Sequence, residues 1–182
     1  KGAVMGDSFG LENALWFAKN EKDAHEEPTF KRSRSHEYVA EEVKAVRTCV
    51  GATEIANFAK HEFTGPEARN FLNYILAGNI PKPGRIVLTP MLTPKGKLYG
   101  DLTVACLKEK KFMLFGSGAA QEMHRRWFEK FLPRKGVIYK NRSDDLHGIA
   151  ISGPNSRKLL SKISRDDVSN EALKFRDTKE TF

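Results

Sequence analysis

Apolar and polar positions alternate in register with regular structure along most of the chain. Tyr38, Val39, Val43 and Val46 form an apolar stripe at helical spacing. They predict a helix over 36–48, with Ser35 as its cap and Gly51 as its end. A strand pair is expected across 53–64. Gly65-Pro66 then opens a helix, because a proline in the first turn loses nothing by lacking an N–H. Its buried face is Phe71, Leu72, Ile75 and Leu76, and Gly78 is its stop. Three strand-like runs follow at 85–91, 98–107 and 112–115, turned at Thr93-Pro94-Lys95-Gly96 and at Lys110-Lys111. A helix over 119–131 is stopped by Pro133, strands are expected at 137–140 and 148–152, and Gly153-Pro154 opens a last helix through Ile163. The polar stretch 19–36 reads as a surface loop.

Two segments repeat. Phe63-Thr64-Gly65-Pro66-Glu67-Ala68-Arg69-Asn70-Phe71-Leu72 resembles Ile151-Ser152-Gly153-Pro154-Asn155-Ser156-Arg157-Lys158-Leu159-Leu160, at an offset of 88 residues. Each is a strand, a Gly-Pro step and an amphipathic helix with Arg at one position. The offset is too long for a solenoid and suits a duplicated half-domain. The expected fold class is therefore α+β, with duplicated strand–helix–strand halves, around 53–115 and 137–175, and antiparallel sheets. One domain over 1–182 is expected. The absence of a start methionine at Lys1 and of any tail character at Phe182 reads as a piece of a longer polypeptide.

Composition narrows the chemistry. With 40% apolar and 30% charged residues, the 182-residue chain can bury a core and is unlike a disordered segment. No apolar run approaches the roughly 20 residues of a membrane-spanning helix, so no membrane partner is expected. Cys49 and Cys106 are far apart and lack a CxxC partner, which disfavours disulfides, zinc and iron–sulfur sites. His25, His36, His61, His124 and His147 stand in separate elements without the i, i+4 spacing of a helical metal site, so no metal is expected. A reducing compartment follows, hence a cytoplasmic location, or the mitochondrial matrix in a eukaryote. The net charge of +8 is diffuse. It keeps a basic nucleic-acid-binding module as an alternative, but no RNP-like or zinc-finger motif accompanies it, and no nucleic acid partner is expected.

Two local features carry candidate chemistry. Asp101 interrupts Leu98-Tyr99-Gly100-Asp101-Leu102-Thr103-Val104-Ala105, a run otherwise suited to a half-buried strand. Facing a cleft, it is a proton or hydrogen-bond acceptor; facing solvent beside Thr103, it is ordinary surface. Gly116-Ser117-Gly118-Ala119-Ala120 runs from a strand into a helix N-terminus, either as a tight turn or as a cradle for a polar ligand.

Five stretches resemble one family. Phe9-Gly10-Leu11-Glu12-Asn13-Ala14-Leu15-Trp16-Phe17 resembles its GxExxxWF opening, and Glu41 to Gly51 its E-x-x-AVR-x-x-VG. Phe63-Thr64-Gly65-Pro66-Glu67-Ala68 resembles V-x-GPDA, and the second Gly-Pro-x-Ser-Arg fits too. Gly84-Arg85-Ile86, Met91-Leu92, Gly96 and Gly100-Asp101-Leu102-Thr103-Val104 resemble GRIxxTxMLNxxGxxxxDLTV. The family is the folate-binding aminomethyltransferase family of the glycine-cleavage T-protein, in particular the version fused to FAD-dependent dimethylglycine and sarcosine dehydrogenases.

The resemblance implies tetrahydrofolate as cofactor and a small methylated amine, or its iminium product, as the other reactant. Asp101 is implied beside the reacting nitrogens N5 and N10, and Phe58, Leu88, Met91 and Ser117 at folate-contacting positions. Leu88 stands where T-proteins often carry Tyr, and Ser117 where they carry Asn. The implied activity is one-carbon transfer yielding 5,10-methylenetetrahydrofolate. FAD would belong to a fused domain in the full-length enzyme and not to this segment. A stand-alone aminomethyltransferase is the alternative.

Overall fold

The computed structural model describes residues 2–8 and 10–181. Lys1, Phe9 and Phe182 lie outside the described residues, and with them the Phe9 position of the family resemblance and both chain ends. The chain divides into two compact units. The first comprises residues 1–52 and 151–159, the second 53–150 and 160–182.

In the first unit, β1 (Ala3–Ser8) and β2 (Leu11–Phe17) form an antiparallel hairpin, followed by α1 (Ser35–Thr48). Val4, Trp16 and Ala18 are its small buried cluster, against which Tyr38 of α1 packs with its ring 5.1 Å from that of Trp16. The expected helix is thus present, although Ser35 is its first residue and makes no capping hydrogen bond to it.

The second unit carries the main core. β4 (Ala59–Thr64), α2 (Ala68–Ile75), β5 (Arg85–Leu92), β6 (Leu98–Lys108), β7 (Lys111–Gly116), α3 (Gln121–Phe131) and β8 (Ile138–Asn141) follow in order. The five strands form one antiparallel sheet in the order β5-β6-β7-β4-β8. Side chains in a strand alternate between faces, so register fixes what each face presents. Leu102, Val104 and Cys106 of β6, Met91 of β5, Phe112 and Leu114 of β7 and Phe63 of β4 all lie in the core. Phe71, Leu72 and Ile75 of α2 and Phe128 of α3 cover them. The opposite face carries Leu88 and Pro90 opposite Thr103 and Asp101, then Phe115 opposite both Thr103 and Lys60. The helices α2 and α3 of this unit pack on the other face.

The strand pair expected across 53–64 is not a pair. β3 (Gly51–Glu54) pairs with β9 (Ile149–Ser152), while β4 lies between β7 and β8. Chain neighbours here belong to different sheets, because β4 takes its hydrogen bonds from β7 and β8 instead. The two copies of the repeat share one geometry. Gly65 and Gly153 sit at φ +123° and +118°, a region open to glycine. A Cβ on Gly65 would stand 2.3 Å from the Gly136 carbonyl oxygen, and one on Gly153 2.5 Å from that of Val46. The second junction leads into α4 (Ser156–Ile163).

Beneath the sheet, two histidines are sealed from water. His61 is 0% and His124 2% exposed, with their rings 5.8 Å apart. His61 Nδ1 meets the Tyr139 hydroxyl at 2.9 Å, while His61 Nε2 and His124 Nδ1 lack a hydrogen-bond partner among the described residues. Burial first, and then the neighbouring charge of His124, lower the His61 pKa from 6.5 to about 4. The unfolded chain therefore takes up a proton below pH 6.5 that folded His61 refuses until about pH 4, so stability falls as pH drops through that window.

Equilibrium denaturation at stepped pH should show His61 alone costing about 3 kcal/mol between pH 6.5 and 4, a loss that the His61→Phe variant escapes. Equal slopes in the two proteins would contradict this. Gly65→Ala should lower stability by about 2–4 kcal/mol through strained φ and the clash with Gly136, measured by urea unfolding.

Candidate functional site

On the face of the sheet away from α2 and α3, a hollow of about 320 Å³ lies between β5, β6, the end of β7 and the turn that precedes β4. Its wall includes Phe58, Leu88, Asp101, Thr103, Phe115 and Ser117. The volume falls within the roughly 300–1,000 Å³ of small-ligand pockets. Pleating explains the polarity of this wall. Because Leu102 and Val104 turn to the core, Asp101 and Thr103 must turn away from it. Asp101 is exposed and lies directly opposite Pro90, whose carbonyl turns outward to accept from Ala77 N–H, so the proline's missing N–H takes nothing from the β5–β6 ladder. Phe58 and Leu88 are 45% and 64% exposed, so two large apolar side chains stand in water around one carboxylate.

The Gly-Ser-Gly turn supplies the hollow's third side. Gly116 lies directly on the His124 ring: a Cβ there would come within 2.7 Å of His124 Cε1. One on Gly118 would collide with the Asn57 carbonyl oxygen at 1.9 Å. Close approach therefore demands both glycines, and the turn passes through a single 3-10 stretch before α3 begins. Ser117 nevertheless lines the hollow. Gly100, the neighbour of Asp101, also rests on His124, with a virtual Cβ 3.1 Å from Nε2. The same imidazole thus supports both edges of the site. Its pKa is lowered by burial, against a smaller raising influence from the Asp101 carboxylate.

Four of the residues singled out in the sequence, Phe58, Leu88, Asp101 and Ser117, line this one hollow. Met91 does not. It is 0% exposed in the core, opposite Gly100, with its thioether methyl under that glycine. Leu88 and Met91 are three positions apart on one strand, so alternation turns them to opposite faces. A slot walled by both is excluded in this pleated strand. Thr103, Phe115 and Asn57 were not singled out. Parity with Asp101 along β6 points to Thr103, but Phe115 and Asn57 depend on register and turn geometry that no local pattern encodes.

A second hollow, of about 560 Å³, adjoins the first and shares Phe58, Thr103 and Phe115 with it. Its floor continues along the same face through Ala105 and Met113. The hollow of about 630 Å³ in the first unit is larger, but its wall is the polar loop before α1, where Arg34 is already paired with Asp23 and Glu27. Among the described residues, no group of three or more His, Cys, Asp or Glu is placed to hold a metal ion, and no helix is long and apolar enough to cross a membrane. Both cysteine thiols are free.

The chain is similar to proteins already known. Human mitochondrial dimethylglycine dehydrogenase is 35% identical over 178 residues, covering 96% of this chain and 20% of that protein. An aminomethyltransferase from Halothermothrix orenii is 31% identical over 139 residues, covering 75% of this chain and 38% of the relative. The chain thus spans about a fifth of the length of the dehydrogenases it matches. Among solved structures, aminomethyltransferase T of the Bartonella henselae glycine cleavage system superposes with a TM-score of 0.71 at 19% identity, over 98% of this chain and 44% of that one. Heterotetrameric sarcosine oxidase from Corynebacterium sp. U-96 gives 0.59 at 15% identity, over 84% of this chain and 76% of its own. These structures share the mixed helix and antiparallel-sheet fold. The profile of the GCVT N-terminal domain matches residues 1–182, and the chain belongs to that family.

Proposed function

We propose that this chain is the tetrahydrofolate-binding, one-carbon-transfer part of an amine-demethylating enzyme of the dimethylglycine or sarcosine dehydrogenase type. The observation that carries the reading is the convergence of Asp101, Phe58, Leu88 and Ser117 on one open hollow. Those residues fit a reduced folate. Phe58 and Leu88 offer apolar faces for a flat ring, and the Ser117 hydroxyl and Thr103 offer hydrogen bonds at its edge. The Asp101 carboxylate is the acidic group of the lining.

Reduced folate, when bound, supplies amine nitrogens able to accept a one-carbon unit. The chain's own part is positional and protonic. The Asp101 carboxylate orients the amine by accepting its N–H, and then takes the proton released when nitrogen bonds to carbon. The electrophile is an iminium or formaldehyde equivalent left by amine oxidation. That oxidation is assigned to an FAD-bearing partner domain, and no flavin contact is assigned to these residues. The product would be 5,10-methylenetetrahydrofolate, since the second folate nitrogen would bond to the same carbon as the demethylated amine, or water from formaldehyde, leaves with that nitrogen's proton.

The 35% identity to dimethylglycine dehydrogenase over nearly the whole chain supports the dehydrogenase setting. A free-standing aminomethyltransferase is the second reading, supported by the 31% identity over 139 residues. A flavin spectrum in the purified full-length protein separates the two.

The Asp101→Ala variant should reduce coupled methylenetetrahydrofolate formation by about 100-fold or more while leaving amine oxidation intact. Single-turnover product analysis reads the first quantity and dye reduction the second. An undiminished folate product would contradict the role of Asp101.

A further inference from the structure

Leu88, Thr103, Phe115 and Lys60 form one cross-strand row on the face of the sheet away from α2 and α3. The row begins beside Asp101 and ends at Lys60. Lys60 is only 3% exposed, yet it lines the second hollow. Its Nζ donates to the carbonyl oxygens of Ala56 at 2.6 Å and Phe58 at 2.7 Å. An ammonium has three donors, so one N–H remains. Carbonyls carry partial charge only, and a buried full charge without a counter-ion is costly.

Every carboxylate on that wall is already neutralised. Glu62 pairs with Arg142 at 3.5 Å, and Glu180 with Lys111 and, at 3.4 Å, with Lys108. Among the described residues, no carboxylate stands at ion-pair distance from Lys60. Thus a cation and a carboxylate mark the two ends of an apolar shelf made by Phe115 and flanked by Phe58. Strand spacing and rise put the Cα atoms of Lys60 and Asp101 about 12 Å apart across the face.

We propose that Lys60 is the anion-binding end of the site. A carboxylate on the tail of a reduced folate docks on Lys60 Nζ, with the tail over Phe115, while the amine-bearing ring lies at Asp101. The polarity follows from charge: the amine end meets the carboxylate and the acidic end meets the ammonium. A carboxylate at Lys60 also completes the donor set of the ammonium and removes its unpaired charge. This inference rests on the folate reading above and deepens it by assigning a residue to the ligand's tail.

The test is equilibrium binding by calorimetry on the full-length protein, with three probes: tetrahydrofolate, its tail diamide and the tail-less tetrahydropterin. Lys60→Met keeps the volume and removes the charge. It should weaken tetrahydrofolate by about 10–100-fold, the range of a charge-assisted hydrogen bond, and leave tetrahydropterin unchanged. On the unaltered protein, the diamide should already show a loss of that size. If both ligands weaken together in the variant, Lys60 serves only to hold the turn at Phe58, and the proposal fails. An unchanged tetrahydrofolate affinity also overturns it. Should the variant not fold, equal affinity of the unaltered protein for diamide and diacid overturns it, and a weaker diamide supports it. An unaltered protein that binds neither tetrahydrofolate nor tetrahydropterin sinks the folate reading itself. Binding of both with no gain from the charged tail sinks only the role of Lys60.

Discussion

Along β6, Leu102, Val104 and Cys106 leave water to pack against α2, α3 and the neighbouring strands. Each such side chain contributes about 1.5–3 kcal/mol when fully buried. The pleat then leaves Asp101, Thr103 and Ala105 no choice but the other face. A slip of one residue would expose those apolar side chains and carry a carboxylate into the core, which costs several kcal/mol more. The composition of the hollow is thus dictated by the core on the reverse side of the same strand. The candidate site needs no special local stabilisation, because the hydrophobic effect that folds the sheet also presents its carboxylate.

A second layer ties the site to the core. The His124 imidazole lies under Gly100 and Gly116, the immediate neighbours of Asp101 and Ser117, and packs edge-on with His61. Burial keeps both rings toward the neutral form near neutral pH. The floor of the hollow therefore gains no charge of its own, and the uncompensated buried cation nearby is Lys60, on the far side of Phe115. Small residues at 100 and 116 let the ring approach the backbone, and a bulkier residue at either place would displace the strands that carry the site.

Much of this was legible in the chain. Strong periodicity located α2, β5, β6, β7 and α3 within a few residues, and the glycines of the two Gly-Pro steps have similar positive φ angles. Local patterns do not encode long-range partners, so the sequence predicts a strand pair across 53–64 although β3 joins β9. The β1–β2 hairpin gave no signal because Val4 and Trp16 are the buried residues of those strands, too few to make an alternation. At the site, Asp101 stood out as a carboxylate in an apolar run, whereas Met91 was grouped with Leu88 against the parity of a strand. Lys60 was hidden in a strand whose charge pattern reads as half-exposed, because its burial comes from the turn at 56–58 folding over it.

Membership of the GCVT N-terminal domain family accounts for the mixed helix and antiparallel-sheet fold, and the face that turns away from the core accounts for the proposed chemistry. The most direct measurement is a structure of the protein with a bound reduced folate. The account predicts the bicyclic ring between Phe58 and Leu88, with a ring-side amine nitrogen within hydrogen-bond distance of the Asp101 carboxylate. A ring lodged on the α2–α3 side of the sheet, or anywhere out of reach of that carboxylate, would contradict it.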